Sequence, residues 1–449
     1  MHDTSPLIAL ADLISSGVRT LDATYSQQGV PFPSLDGPYS PGPLDTDATV
    51  TAATQLIIAA AHQLIATVQQ PVMTLLNYAP ATCMTSAMGL VTDVHVPDAL
   101  KDNPEGLHVD QIGAKVDIDP KKLARVLRYL ATRHVFKEVA PDVFANNRVS
   151  SALMKSQPLE QLKLDKLRQY DGASAAALVG HMTDEGLRSN GYFVEFVRDS
   201  PKGVDAPFNL AFNTKASIWE WFEEPGNEWR GRRFATAMTG NYNPRVFMEG
   251  YDWNSLERGS VVVDVGGGIG TTVLNLAQAY PHVKYIVQDL EKVVGEPAQK
   301  YWQEQAPELV SNGIVTLQGH SFLEPQPVKG ATVYFLRLIL HDWRDSKCLE
   351  ILQHLRAAAA PSSKLIVFDM LMPYACPDPA GPSPTPFPLL ANLGIAAGGF
   401  ATALDLQMMS SFTGQERTLS QFSALGDATG WKLESVKPGP LAAMIFYPV

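Results

Sequence analysis

The segment Val261-Val-Val-Asp-Val-Gly-Gly-Gly-Ile-Gly270 decides the fold of this chain of 449 residues. It joins a short apolar, β-branched run to a glycine-rich turn, and the helix-forming stretch 271–280 follows directly. Strands buried in parallel sheets are apolar in this way. Glycines between a strand and a helix let the backbone bend tightly and approach a ligand closely. The segment therefore predicts a strand, a ligand-binding turn and a helix of an α/β domain.

The sequence after this segment continues the alternation of strands and helices. Apolar runs at 284–287, 333–336 and 364–368 predict strands, and 348–358 predicts a helix. Strands that alternate with helices pair in parallel through right-handed crossovers. We therefore expect a Rossmann-like, doubly wound catalytic domain at 246–449.

The sequence before this domain predicts mainly helices. A first helix begins near Ser5 and is weakened by Gly17, and a proline-rich irregular segment follows at 29–45. Residues 49–70 predict an apolar helix that needs cover on most faces, either within the monomer or from a second copy of the chain. Dimer formation is therefore one explanation of this helix.

Residues 109–150 predict two helices followed by a hairpin, which is the outline of a winged helix. With this module we divide the region before residue 246 in two. Residues 1–150 form a helical, winged-helix dimerisation domain, and 151–245 form a helical linker and substrate-pocket region. A winged helix can also bind DNA, so a DNA-binding regulator remains a remote alternative.

Composition argues against that alternative. The chain has 46 acidic and 35 basic residues, a formal net charge of −11, whereas binding to nucleic acid needs clustered cations. Three cysteines favour neither a disulfide framework nor a zinc site. No Lys or Arg precedes the first apolar stretch, and no run of ~18 uninterrupted apolar residues occurs in the sequence, so we expect neither a secretory leader nor a membrane span. We expect a cytoplasmic protein that binds a small molecule and neither nucleic acid nor membrane.

Two acidic residues identify the ligand class. Asp289 ends the next predicted strand, where a carboxylate can accept hydrogen bonds from both hydroxyls of a ribose. Asp264 precedes the glycines, where it would repel a pyrophosphate but suits the ammonium group of an amino-acid-bearing nucleoside. Together they point to S-adenosylmethionine rather than NAD.

Four stretches together resemble the class I, plant-type O-methyltransferases of small molecules, in particular their fungal secondary-metabolite branch. They are Val263-Asp-Val-Gly-Gly-Gly-Ile-Gly270, Gln288-Asp-Leu290, Leu336-Arg-Leu-Ile-Leu-His-Asp-Trp343 and Gly414-Gln-Glu-Arg-Thr418. The resemblance spans about residues 90 to 445. It implies a homodimer that uses S-adenosylmethionine and no metal.

The resemblance also implies the residues of the site. The cofactor-binding residues are Gly266, Gly267, Gly268, Asp289, Leu290, Ser321, Phe322, Arg337 and Trp343. His341 aligns with the general base, and Glu416 and Asp369 align with the carboxylates that flank it; Arg337 aligns with a cation near the cofactor. An imidazole of pKa ~6.5 can take the proton of a phenol. Without the resemblance, His341 is also explained as a helix-start residue with Asp342 as N-cap.

The aromatic-rich helical region 208–238 has two interpretations. Aromatic residues at helical spacing form a core or line a substrate pocket. The predicted substrate-binding residues are Phe208, Phe212, Trp229, Met238, Met409 and Thr413.

The resemblance leaves two activities open. The first is methyl transfer to a hydroxylated aromatic or polyketide-type metabolite, with His341 as base. The second is that of the family's pericyclases, which keep the cofactor bound and catalyse dehydration, Alder-ene or hetero-Diels-Alder cyclisation. In that case Arg337, His341 and Thr413 would surround the substrate and polarise its carbonyl.

Overall fold

A computed structural model describes residues 5–199, 202–240, 244–378 and 385–449. The chain forms two compact units. The first consists of Met1–Tyr242 and Tyr374–Phe400, and the second of Asn243–Pro373 and Ala401–Val449. The division of the region before residue 246 at residue 150 stays a prediction.

The first unit is mainly helical. Its helices are α1 (Pro6–Gln27), α2 (Ala48–Val68), α3 (Pro71–Tyr78), α4 (Ala81–Asp93), α5 (Val96–Ala99), α6 (Val109–Val116), α7 (Pro120–Ala131), α8 (Arg148–Ser151), α9 (Leu159–Leu164), α10 (Ser174–His181), α11 (Leu187–Asn190), α12 (Phe193–Asp199), α13 (Pro207–Ala211), α14 (Ile218–Glu223) and α15 (Glu228–Gly240). A π-helical turn, Met182–Gly186, joins α10 to α11, and Gly394–Ala396 forms a 3₁₀ turn. Strands β1 (Leu107–His108), β2 (Lys137–Ala140) and β3 (Val143–Ala145) form an antiparallel sheet in the order β1-β3-β2.

Helices α1 and α2 pack closely, and this corrects the prediction for Gly17. Helix α1 continues through Gly17 because the residue lies at the contact with α2, where a Cβ would come within 2.6 Å of Ile57 Cγ1. Among the described residues, α2 is the one helix long and apolar enough to cross a membrane, judged by length and composition alone. Asp47 caps its start by accepting hydrogen bonds from the backbone of Thr49 and Val50.

The winged-helix elements occupy their predicted positions. Helices α6 and α7 are followed by the β2–β3 hairpin, and their apolar faces share one buried core. Arg128 of α7 forms ion pairs with Glu138 (2.8 Å) and Asp142 (2.7 Å) of the hairpin. The charge of this basic residue of α7 is therefore paired within the module.

The remaining elements form the α/β unit. The helices are α16 (Pro244–Gly250), α17 (Thr271–Ala279), α18 (Glu291–Val294), α19 (Glu296–Gln305), α20 (Pro307–Ser311), α21 (Asp345–Ala358), α22 (Gly398–Ser411) and α23 (Leu419–Thr429). The strands are β4 (Val261–Val265), β5 (Lys284–Asp289), β6 (Val315–Gly319), β7 (Val333–Arg337), β8 (Lys364–Asp369), β9 (Trp431–Lys437) and β10 (Ala442–Pro448). Trp253–Ser255 and Leu340–Asp342 form 3₁₀ turns.

The doubly wound sheet is confirmed. Its order is β6-β5-β4-β7-β8-β10-β9, with β4 to β8 parallel and β10 antiparallel to both β8 and β9. The chain winds outward from β4 to β6 and then returns to place β7 on the other side of β4. Ligands of doubly wound sheets bind at such a switch point, at the carboxyl ends of the strands. The glycine turn follows β4 there, and Arg337 ends β7 beside it.

Candidate active site

The glycine turn leaves no room for side chains at two of its positions. Gly266 has a φ of +73°, and a Cβ there would lie 2.6 Å from Ile339 Cδ1. At Gly267 a Cβ would lie 2.5 Å from an Asp264 carboxylate oxygen. Gly268, with a φ of +60°, has no described atom within 4 Å of that position. The turn therefore needs glycine and is open to a ligand at Gly268.

Asp289 is held by the turn that it faces. Its Oδ2 accepts a hydrogen bond from Gly268 N (2.9 Å) and its Oδ1 accepts one from Leu290 N (2.8 Å). Burial raises the pKa of Asp289, and these two bonds oppose the rise. Each carboxylate oxygen keeps a further lone pair, so two hydroxyl groups of a ribose can still donate to it.

Asp264 offers a buried acceptor at the same turn. Its side chain is 2% exposed, and its Oδ2 has no hydrogen-bond partner in the described part of the chain. Burial raises the pKa of Asp264 to about 7, while the positive charge of Arg337 acts in the opposite direction. A buried carboxylate oxygen that lacks a donor fits the ammonium group of S-adenosylmethionine. The residues present therefore fit this cofactor.

Of the three residues predicted to lie near the adenine ring, Phe322 adjoins this turn and Trp343 packs against Phe322. Phe322 and Trp343 pack edge to face, with ring centroids 5.8 Å apart. Ser321 Oγ accepts a hydrogen bond from Leu323 N at 3.3 Å. The ring of Phe322 also lies 3.2 Å from where a Cβ of Gly266 would be. The structure thus brings Phe322, Trp343 and Gly266 together, whereas their contact with adenine stays a prediction.

His341 lies on the 3₁₀ turn Leu340–Asp342 that follows β7. Its Nδ1 lies 2.8 Å from Glu416 Oε1, and Asp369 ends the neighbouring strand β8. One side-chain ligand atom of each of the three residues lies within 4.8 Å of the others. The alternative with Asp342 as N-cap is wrong, because α21 begins at Asp345 and its N-cap is Arg344. His341 is therefore held by a side-chain carboxylate.

The surroundings of His341 favour a positive charge on its imidazole. Burial alone would lower its pKa, but the carboxylates of Asp342 and Asp369 and the hydrogen bond with Glu416 raise the pKa above its usual 6.5. Asp342 Oδ1 lies 3.6 Å from His341 Nε2. One oxygen each of Glu416 and Asp369 is buried without a hydrogen-bond partner among the described residues. The cluster can hold a proton on the ring or stabilise a nearby cation.

The same three side chains form a donor set that could bind a metal ion. Two carboxylates and one imidazole suit divalent first-row metals. The expectation that no metal takes part stays a prediction, which a metal chelator in the methylation assay tests.

The other predicted residues of this unit lie on neighbouring segments. The guanidinium of Arg337 lies 4.9 Å from the centroid of the Phe247 ring. Met409 on α22 and Thr413 after it are half-buried, and Leu290 is exposed. Their contacts with cofactor or substrate stay predictions.

The predicted aromatic wall lies in the first unit. Phe208 is 1% exposed and packs with Phe212 and Trp221, with ring centroids 4.5 to 5.2 Å apart. Burial of Phe208 favours the core interpretation for this residue. Trp229 packs against cationic groups, of which Lys166 Nζ is 4.1 Å from its ring centroid, and Met238 is exposed. A role of these residues in substrate binding stays a prediction.

Sequence reasoning missed two residues of the site. Ile339 contacts the glycine turn, and Asp342 is the acidic residue nearest to Nε2 of His341. Asp342 adjoins His341 in the sequence, so a negative charge close to the histidine could have been inferred. Its side-chain position depends on the 3₁₀ turn, which no sequence periodicity indicates.

Comparison with known proteins identifies the family of this chain. Residues 205–432 match the family model of the O-methyltransferase domain, and residues 76–156 match that of the O-methyltransferase dimerisation domain. An O-methyltransferase of Armillaria gallica is 36% identical over 96% of this chain and 95% of its own length. The 4-O-methyltransferase 1 of Phanerochaete chrysosporium is 35% identical over 96% of both chains. Sterigmatocystin 8-O-methyltransferase of Aspergillus parasiticus is 32% identical over 82% of this chain and 79% of its own.

Two solved structures share the fold. LepI in complex with S-adenosylmethionine superposes with a TM-score of 0.68 at 23% identity, over 88% of this chain and 94% of its own. Human N-acetylserotonin methyltransferase gives a TM-score of 0.62 at 20% identity, over 85% of this chain and 99% of its own.

Proposed function

Because this chain belongs to the O-methyltransferase family, whose methyl donor is S-adenosylmethionine, we propose that it methylates a hydroxyl group of an aromatic or polyketide-type metabolite with His341 as general base. The observation that carries this proposal is the 2.8 Å contact between His341 Nδ1 and Glu416 Oε1. A general base needs its second ring nitrogen held by an acceptor, which leaves Nε2 for the substrate proton.

The proposed reaction is a direct displacement. When bound, S-adenosylmethionine supplies an electrophilic methyl group on a sulfonium. His341 Nε2 would take the hydroxyl proton when the oxygen is methylated, the C–S bond breaking to leave S-adenosylhomocysteine, and Glu416 and Asp369 would stabilise the imidazolium that results. Asp289 binds the ribose and Asp264 the ammonium group. Positioning of the acceptor hydroxyl beside His341 is the largest demand on these residues.

The test is product analysis with a panel of hydroxylated aromatic compounds and isotopically labelled S-adenosylmethionine. The proposal predicts S-adenosylhomocysteine and a product that is heavier by one CH₂ unit and carries the label. A metal chelator in parallel reactions is expected to leave the rate unchanged, because the methyl donor is already activated. Rates that require an added divalent metal would assign the cluster of His341, Asp369 and Glu416 to that ion instead.

One observation favours a second candidate, a pericyclase that keeps the cofactor. Glu416 Oε1 lies 2.8 Å from His341 Nδ1 and Asp342 Oδ1 lies 3.6 Å from His341 Nε2. These carboxylates raise the pKa of His341, and a protonated imidazole donates a hydrogen bond to a substrate carbonyl rather than accepting a proton. Arg337 and Thr413 are the other polar groups proposed for this reaction. In the same assay this candidate predicts a cyclised product with the cofactor unconsumed.

The pH dependence of methyl transfer tests the base directly. Because the pKa of His341 is raised, the neutral ring becomes more abundant as pH increases, so kcat/KM is expected to rise above neutral pH. Glu416→Gln removes one carboxylate, which lowers the pKa of His341. The rising limb should therefore move to lower pH while the maximal rate falls roughly tenfold. Initial rates across pH for wild type and variant measure this.

Substrate ionisation gives a rising limb too, so the control is a second phenol of different pKa. A limb that moves with the substrate and not with Glu416→Gln would contradict the assignment of the limb to His341.

We further propose a cytoplasmic homodimer that binds a small molecule and neither nucleic acid nor membrane. The dimerisation-domain match supports the dimer. It is also supported by exposed apolar side chains of α3, such as Val72, Leu75 and Tyr78. Light scattering of the purified protein measures the mass in solution.

A further inference from the structure

The segment Gly414–Arg417 packs along the turn that carries His341. Gln415 N donates a hydrogen bond to the carbonyl oxygen of His341 at 2.9 Å. Gly414 lies so close to the same carbonyl that a Cβ would collide with it. Glu416, between these residues and Arg417, binds the imidazole itself. One short segment therefore contacts both the backbone and the ring of His341.

Arg417 extends this contact to both sides of His341. Its side chain is fully buried, with Nη1 donating to the Leu340 carbonyl at 2.6 Å and Nη2 to the Trp343 carbonyl at 2.7 Å. Its Nε and Nη2 also donate to Asp345 Oδ1, at 3.0 and 2.7 Å. The planar guanidinium has several N–H groups in a fixed arrangement. It is therefore suited to hold two carbonyls and a carboxylate at once.

The backbone of Arg417 also forms contacts, in addition to those of its side chain. Met372 N donates to its carbonyl oxygen at 2.9 Å, and Leu371 pairs with it in a parallel bridge. Leu371 and Met372 lie two and three residues after Asp369 in the chain. Arg417 thus links the segment after Asp369 to the turn that carries His341.

The chain enters this turn through a strained residue. Leu338 has a φ of +51°, and its N donates to the Phe368 carbonyl at 2.9 Å. Branched residues adopt left-handed backbone conformations at a cost, and such strain persists only where surrounding contacts maintain it. The two carbonyls that Arg417 binds belong to Leu340 and Trp343, two and five residues after Leu338.

We propose that Arg417 is a positioning residue that holds the 340–343 backbone so that the His341 ring stays against Glu416 and Asp369. For catalysis this rests on the proposed role of His341 as base. The guanidinium of Arg417 donates to two backbone carbonyls. Among the described residues it forms an ion pair with Asp345, whose side chain is 60% exposed. The hydrogen bonds to the Leu340 and Trp343 carbonyls therefore position the 340–343 backbone, and the ion pair with Asp345 contributes less.

The first experiment needs no substrate. The imidazole of His341, labelled with ¹⁵N and assigned by comparison with His341→Ala, is titrated by NMR in wild type and Arg417→Gln. The variant is expected to show a lower midpoint, because the ring moves away from Asp342, Asp369 and Glu416, and broadened or multiple signals. Arg417→Lys, which can still reach a carbonyl, should lie between them. If Arg417→Gln does not fold, the His341 titration of Arg417→Lys tests the proposal in its place.

The second experiment follows turnover. We expect kcat to fall about 100-fold in Arg417→Gln, as for a catalytic group displaced by about 1 Å, with calorimetric affinity for S-adenosylmethionine within about threefold of wild type. The matched control, Asp345→Asn, leaves the hydrogen bonds of Arg417 to both carbonyls in place. Its kcat and its affinity for S-adenosylmethionine should stay within about threefold of wild type.

An unchanged His341 titration in Arg417→Gln would overturn the proposal. So would a fall in kcat for Asp345→Asn as large as that for Arg417→Gln. Failure of wild type to methylate any phenol would overturn the proposed function alone, since the NMR comparison does not depend on it.

Discussion

Replacement of His341 by alanine is expected to reduce methyl transfer by about 10²- to 10⁴-fold and to leave binding of S-adenosylmethionine near the wild-type level. The variant removes the proton acceptor. Asp264 on β4, Asp289 at the end of β5 and the turn Gly266–Gly268 after β4 lie on other segments and keep their contacts. Release of S-adenosylhomocysteine measures the first effect and isothermal calorimetry the second.

The matched control is His354→Ala, which removes a half-buried histidine from α21 in the same unit. It should retain wild-type turnover. If His341→Ala loses cofactor affinity together with turnover, the histidine supports the fold of the site; if turnover persists, another group accepts the proton.

The strand and glycine turn proposed to hold the cofactor could be predicted as structural elements because their information is local. A strand, a glycine turn and the acid that ends the next strand follow one another within 30 residues, and their order along the chain determines their order in the sheet. The conformation at Gly266 and Gly268 is one that glycine permits at little cost. Local sequence and tertiary structure therefore agree here.

The histidine half depends on pairing between distant segments. Glu416 lies 75 residues after His341, and its position was inferred from the resemblance rather than from periodicity. The physical basis of that position is the pairing of Arg417 with Leu371, which no local pattern shows. Strands β6, β9 and β10 were likewise not predicted, because two of them form the antiparallel edge that alternation of strand and helix does not indicate.

The same limit explains Gly17. Its low helix propensity predicted a weakened helix, yet the close approach of α1 to α2 leaves no space for a larger residue there. Packing between helices outweighs the propensity of one residue.

Asp289→Ala should have the opposite effect from His341→Ala, because it damages the cofactor site and spares the base. The carboxylate accepts N–H groups of Gly268 and Leu290 and is the proposed acceptor for both ribose hydroxyls. Hydrogen bonds to a charged acceptor contribute about 1.5–3 kcal/mol each, and every 1.4 kcal/mol corresponds to about tenfold in affinity. Loss of two such bonds predicts a Kd for S-adenosylmethionine that is higher by about 100-fold or more, measured by calorimetry.

Asp289→Asn separates the ribose contact from support of the turn. An amide has one acceptor oxygen where the carboxylate has two, so it can satisfy Gly268 N or Leu290 N but not both, and its affinity should lie between those of wild type and alanine variant. Glu308→Gln, which removes an exposed carboxylate from α20 in the same unit, controls for the change in net charge. At saturating cofactor, Asp289→Ala should recover much of its turnover because His341 and Glu416 are intact. A variant that binds weakly and also stays inactive at saturation would show that Asp289 aligns the methyl group as well as binding the ribose.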